Sequence, residues 1–121
     1  MAKHVVVVED DESITTSLSF LLTRAGFEVT VESDGTKALD TIFAEIPDVL
    51  LLDVMLPRMD GYEVLRRVRA DQRTSTVPVI MLTAKGQPEN RETAMECGAD
   101  LFITKPFANA EVVGAVERLA G

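Results

Sequence analysis

Two apolar runs in this 121-residue chain each end in carboxylates. Val49-Leu50-Leu51-Leu52 runs into Asp53, and Val5-Val6-Val7-Val8 runs into Glu9-Asp10-Asp11. Short runs of Val and Leu read as buried strands. In a parallel sheet the C-terminal ends of the strands share one edge, and ligands bind there. Acids delivered to that edge by two strands make a site for a divalent cation. Mg²⁺ takes one or two protein carboxylates, keeps several waters and accepts phosphate oxygens. Asp10 and Asp53 are the candidate direct ligands, Glu9 acts through water, and a backbone carbonyl just past Asp53 completes the protein share. A carboxylate can also attack phosphorus to form an aspartyl phosphate. Charge spread over the transferring oxygens then needs cations around it. Lys105, after the apolar run Leu101–Thr104, can supply one. Thr83, at the end of Val77–Leu82, can donate its hydroxyl.

The elements that must position these groups alternate along the chain. Val5–Val8, Val49–Leu52, Val77–Leu82 and Leu101–Thr104 read as strands, and the alternating Glu28–Val31 reads as an edge strand. Helical spacing appears in Ile14, Leu18, Leu21, Leu22 and Ala25, closed by Gly26. It recurs in Leu39, Ile42, Phe43 and Ile46, with Ser33 or Asp34 as N-cap. Val64, Leu65 and Val68 form a third stripe, and Val112, Val113, Val116 and Leu119 the last. Pro88–Cys97, anchored by Ala94 and Met95, is the weakest helix. Five strands and five helices joined by right-handed crossovers give a doubly wound α/β sandwich, with the Val5 and Val49 strands side by side.

Composition narrows the function. One domain of this length, residues 1–121, buries its own core. A net charge of −8 argues against non-specific nucleic-acid binding. No apolar run approaches the roughly 18 residues needed to span a bilayer, and Met1-Ala2-Lys3-His4 leaves no room for a signal peptide before the first strand. A single cysteine, Cys97, forms no intrachain disulfide and suits a reducing cytoplasm.

Six short pieces now fall into a recognisable order: Val8-Glu9-Asp10-Asp11, Leu52-Asp53-Val54-Met55-Leu56-Pro57, Met59-Asp60-Gly61, Met81-Leu82-Thr83-Ala84, Gly98-Ala99-Asp100 and Thr104-Lys105-Pro106-Phe107. In order and spacing the chain resembles the receiver domain of two-component response regulators over essentially its whole length. The resemblance implies a flavodoxin-like five-stranded parallel sheet in the order 2-1-3-4-5. It implies Asp53 as phosphoacceptor. Asp10 and the Met55 carbonyl become direct Mg²⁺ ligands and Glu9 an outer-sphere one, with Mn²⁺ able to substitute. Thr83 and Lys105 become switch residues. Phe102 stands at the switch-aromatic position, and Lys105–Pro106 is expected to be cis. The implied phosphodonor is a sensor histidine kinase or phosphotransfer protein. Output passes through the fourth helix, fifth strand and fifth helix to a partner protein or a fused output domain. An alternative is the front domain of a longer DNA-binding transcriptional regulator.

Other residues have plainer readings. Asp11 is a cap for the helix that follows, His4 is structural, and Cys97 is a small core residue. Phe102 is either core packing or a switch. Arg58, Arg66, Arg67, Arg69 and Arg73 form a solvated helix face or, less simply, a docking patch. Two other classes fit less well. A phosphohydrolase with an aspartyl nucleophile wants an acid two residues on, where Met55 stands. An FMN binder wants a Ser/Thr/Gly loop after the first strand, where three acids would repel the phosphate. The chain is therefore expected to be no enzyme beyond its own phosphorylation and slow dephosphorylation, since neither Met55 nor Lys85 can activate a water. Arg91, Asp100 and Glu111 suit charge pairs across a dimer, but Val113-Gly114-Ala115-Val116 lacks the expected basic residue, so a monomer or weak dimer is expected.

Overall fold

A computed structural model describes residues 2–84, 96 and 98–121. Five strands, β1 (His4–Val8), β2 (Glu28–Glu32), β3 (Val49–Asp53), β4 (Val79–Ala84) and β5 (Leu101–Lys105), form one sheet. Their order is β2-β1-β3-β4-β5, and every pairing is parallel. Four helices are seen among the described residues: α1 (Glu12–Arg24), α2 (Gly35–Ala44), α3 (Gly61–Ala70) and α4 (Asn109–Ala120). The expected helix over Pro88–Cys97 lies, apart from Glu96, outside the described residues, as do Lys85 and Arg91.

β1 and β3 are buried along their whole length, as strands covered on both faces must be. Side chains alternate between the faces with a period of two. Val6, Val8, Leu50, Leu52, Val79 and Met81 join the layer under α2 and α3. Val5, Val7, Leu51, Ile80, Leu82 and Ile103 join the layer under α1 and α4. β2 is an edge strand and only half buried, as its alternating sequence requires.

Three of the described helices start where a short acid can hold free amides, while α4 starts after Ala108 with no side-chain cap. Asp11, Asp34 and Asp60 cap α1, α2 and α3 through Ser13, Lys37 and Glu63. Of the two candidates for α2, Asp34 is the cap. α1 closes on Gly26, whose φ of 99° is open to glycine at little cost.

Some expectations need correcting. Ile46 does not belong to the buried stripe of α2. That helix ends at Ala44, and Ile46 is exposed because Pro47 drives the residue before it out of helical geometry. Ala25 is exposed beyond the end of α1. β4 begins at Val79 rather than Val77, because the Val77 amide closes a turn on the Thr74 carbonyl and Pro78 has no amide.

The arginines are not one solvated face. Arg66 and Arg67 pair with Glu63, and Arg73 pairs with Asp71 while lying 5.1 Å over the Phe43 ring. Arg69 is a rivet. Its guanidinium donates to the Gly98, Ser75 and Val77 carbonyls and to Asp100 Oδ2 at 2.9 Å. Five donors in a rigid fork can serve that many acceptors at once. Asp100 Oδ2 also accepts from the Val79 amide, so one oxygen of this acid is engaged inside the fold.

Gly114 lies in the body of α4, and a Cβ there would meet nothing within 4 Å. Gly114→Ala should therefore stabilise the domain by about 0.8–1.0 kcal/mol, the helix-propensity difference. Thermal unfolding should show it as a rise of roughly 4 °C.

Candidate functional site

The parallel register brings the acids together. β1 pairs with β3 up to Val8 and Leu52, so Glu9 and Asp53 leave the sheet side by side. The Glu9 amide extends the ladder to the Glu32 carbonyl at 3.0 Å, which fixes the backbone one residue beyond β1. Glu9 and Asp53 are buried at 1% and 4% exposure, while Asp10 is open to solvent. Carboxylate oxygens of all three lie within 4.8 Å of one another.

Lys105 completes the cluster from β5. Strands lie about 4.8 Å apart, so an ammonium from β5 must cross β4 to reach β3. The lysine stem has the reach. Its Nζ lies 3.1 Å from Asp53 Oδ2 and 2.7 Å from Glu9 Oε1. The second contact pairs the ammonium with a carboxylate oxygen that is fully buried. Asp53 Oδ1 accepts from the Met55 amide at 3.3 Å.

Burial raises the Glu9 carboxyl above the usual carboxylate range, and its bond to Asp53 adds to the rise against the pull of Lys105. Burial works to lower the Lys105 ammonium, but its bonds to Glu9 and Asp53 and their charges carry it above the ordinary lysine value. Lys105 therefore stays charged. Asp11 stands apart from this chemistry. Its Oδ1 takes the Ser13 hydroxyl at 2.7 Å as well as the α1 amides, and these bonds hold it below the usual range. That is the cap role expected of it.

Thr83 is buried one residue beyond Leu82, the register partner of Asp53, so its β4 position lies between Asp53 and Lys105. Phe102 is half buried and packs against the layer under α2 and α3. The Lys105–Pro106 peptide is cis. His4 is structural: Nε2 meets the Thr30 hydroxyl at 2.8 Å, and its amide donates to Asp48.

One residue acquires a role that the sequence reading did not assign. Gly61 opens α3, and its amide donates to the Val54 carbonyl at 2.9 Å. A Cβ at Gly61 would collide with the Asp53 carbonyl oxygen and stand 2.9 Å from its carbon. Only glycine lets α3 start against the backbone of Asp53. The signal was the Asp60-Gly61 pair, but nothing local tells what a glycine must avoid.

If all three acids are ionised, three carboxylates face one ammonium, leaving two negative charges. The set therefore fits a small divalent cation, with one exposed acid for entry and two buried acids fixed by the sheet.

Comparison with known proteins follows the same lines. The sequence matches the response regulator receiver domain over residues 5–117. The chain belongs to that family. The receiver domain is 43% identical over 119 residues to the alkaline phosphatase synthesis transcriptional regulatory protein PhoP of Bacillus subtilis. That match takes in 98% of this chain and 49% of PhoP, so the chain spans about half the length of that relative. A response regulator from Chloroflexus aurantiacus superposes with a TM-score of 0.94 at 36% identity, over 99% of this chain and 98% of the other. The receiver domain of the Pseudomonas aeruginosa sensor histidine kinase PA1611, which holds a magnesium ion in its active site cleft, superposes with a TM-score of 0.90 at 31% identity. All of this receiver domain and 99% of that chain are covered. These likenesses support both the sheet order and the two-component family.

Asp10 and Lys105 should behave oppositely toward a divalent cation. Asp10→Ala removes an exposed carboxylate and should weaken Mg²⁺ binding on the order of tenfold or more. Lys105→Ala removes a competing ammonium and should leave affinity equal or higher. Titration calorimetry of both variants checks the pair.

Proposed function

We propose that this receiver domain is a phosphorylation-activated switch in which Asp53 accepts a phosphoryl group from a histidine kinase or phosphotransfer protein. The observation that carries the reading is the buried Asp53 carboxylate, 3.1 Å from a lysine ammonium and flanked by two further acids. A lone buried carboxylate has no need of that company. A carboxylate that takes a dianionic group does.

In the step itself, an Asp53 carboxylate oxygen bonds to phosphorus and the bond from phosphorus to the donor imidazole nitrogen breaks. The electron pair stays with that nitrogen, and the protein keeps an acyl phosphate. Lys105 then exchanges part of its pairing with Asp53 and Glu9 for a phosphoryl oxygen. Thr83 donates its hydroxyl to another. Asp10, Asp53 and the Met55 carbonyl would hold Mg²⁺, with Glu9 acting through water. The ion, when bound, neutralises charge on the transferring oxygens.

The same groups supply the readout. Thr83 is the next-to-last residue of β4 and Lys105 the last of β5, and Phe102 lies on β5. Drawing both toward a phosphoryl group alters the face that β5 and α4 present. A downstream protein or a fused output domain reads that face. The domain itself contacts neither nucleic acid nor membrane in this reading, and it works in the cytoplasm as a monomer or weak dimer. No helix among the described residues is long and apolar enough to cross a membrane. Asp100, engaged with Arg69, offers little to a dimer.

Intact mass measured after treatment with acetyl phosphate and Mg²⁺ should rise by one phosphoryl group in the wild type and not in Asp53→Ala. Equal labelling of the mutant would overturn the assignment.

Turnover is slow in this reading, and the domain is a switch rather than an enzyme acting on other molecules. Met55 follows Asp53 by two residues, and its exposed thioether carries no group that can take a proton from water. Met55→Asn should speed loss of the phosphoryl group by roughly tenfold, a small share of what a well-placed proton acceptor supplies. A phosphate-release assay on the labelled protein measures it.

A further inference from the structure

The segment between β3 and α3 carries Met55 and is bent at Arg58. Arg58 has a φ of 70°, a left-handed conformation that residues with side chains rarely adopt. The Met59 amide donates to the Pro57 carbonyl at 2.8 Å, closing a tight three-residue turn around it. Such a conformation persists only where its surroundings hold it.

The holds lie on α2. Gly35, the first residue of that helix, leaves a notch for the Met59 backbone. A Cβ there would stand 2.9 Å from Met59 Cβ, 3.0 Å from Val64 Cγ2 and inside contact distance of the Met59 carbonyl oxygen. Beside it, Asp34 does two jobs. Oδ1 caps α2 through the Lys37 amide at 2.8 Å, and Oδ2 lies 3.9 Å from Arg58 Nε. At the far end of the segment, the Gly61 amide holds the Val54 carbonyl. The turn is thus pinned to the start of α2 on one side and to β3 on the other.

We propose that Asp34, Gly35 and Arg58 are positioning residues that set the Met55 segment in the shape required for cation binding at Asp53. None of them touches the cation. Each acts by keeping the chain bent where it would otherwise relax. The Arg58–Asp34 pair is three-quarters exposed on the arginine side, so its own contribution is small. Its use is to bias a turn that is already under strain. The inference rests on the proposed cation-assisted phosphoacceptor site. It goes beyond that reading by making the start of α2, a part of the fold outside the acid cluster, a determinant of cation affinity.

The test is Mg²⁺ titration calorimetry paired with thermal unfolding in the absence of Mg²⁺. Arg58→Gly removes the pair and relieves the turn, so its unfolding temperature should be equal to or above that of the wild type. Its Mg²⁺ dissociation constant should nevertheless rise roughly two- to fivefold. Asp34→Asn retains a capping side chain and loses the charge, with the same expected rise. Gly35→Ala, where it folds, should raise the constant on the order of tenfold by displacing Met59. A purely structural role would weaken binding only in step with stability. If Arg58→Gly and Asp34→Asn bind Mg²⁺ as the wild type does, the inference falls and the acid site stands. If the wild type itself binds no Mg²⁺, both fall.

Discussion

The Lys105 ammonium is the interaction on which the rest of the site depends. It reaches from the edge strand β5 across β4 and pairs with Asp53 and Glu9, two buried acids at the ends of β3 and β1. Two carboxylates side by side in a buried cleft repel, and burial alone drives a proton onto one of them. One cation between them offsets both effects and holds the strand ends together. It leaves the cluster, counting Asp10, short of positive charge. That deficit makes the edge of the sheet a fit for a divalent cation.

Parallel topology is what makes such a bridge possible. Each strand runs the same way, so each delivers its last side chain to the same edge, and the chain returns through α1, α2 and α3 between the first four strands. The helices then cover both faces, and the central strands are apolar over Val5–Val8 and Val49–Leu52. Chemistry and core are therefore separated along each strand: Val49–Leu52 build the interior, and the next residue, Asp53, is free to be polar. The glycines serve the same separation. Gly61 and Gly35 let helix starts press against backbone at the edge, where a methyl group would hold them off.

Position within the fold also decides which charges are available to partners. Arg69 sits in a run of arginines that looks uniform, yet it is consumed by three carbonyls and Asp100. Arg66 and Arg67, three and two residues earlier, are more exposed, and among the described residues they pair with Glu63 on their own helix. The difference is the angle at which each side chain leaves α3, together with what the chain has folded beneath it.

The sequence by itself determined the element order, the doubly wound class, the identity of the acid, lysine and threonine groups, and the cap role of Asp11. These are legible because they rest on local periods and on residue types whose chemistry does not depend on surroundings. The core stripes of α3 and α4 and the ends of β1 and β3 were read to within a residue for the same reason. Tertiary structure alone decided the rest. Ile46 is apolar and correctly spaced, but Pro47 ends the helix before it can be buried. The Asp100 carboxylate meets an arginine thirty-one residues away in the sequence. The needs of Gly61 and Gly35 come from backbone that arrives from elsewhere in the chain. So does the strained turn at Arg58. Contacts between distant segments carry no local pattern, because their geometry is set by how the layers pack.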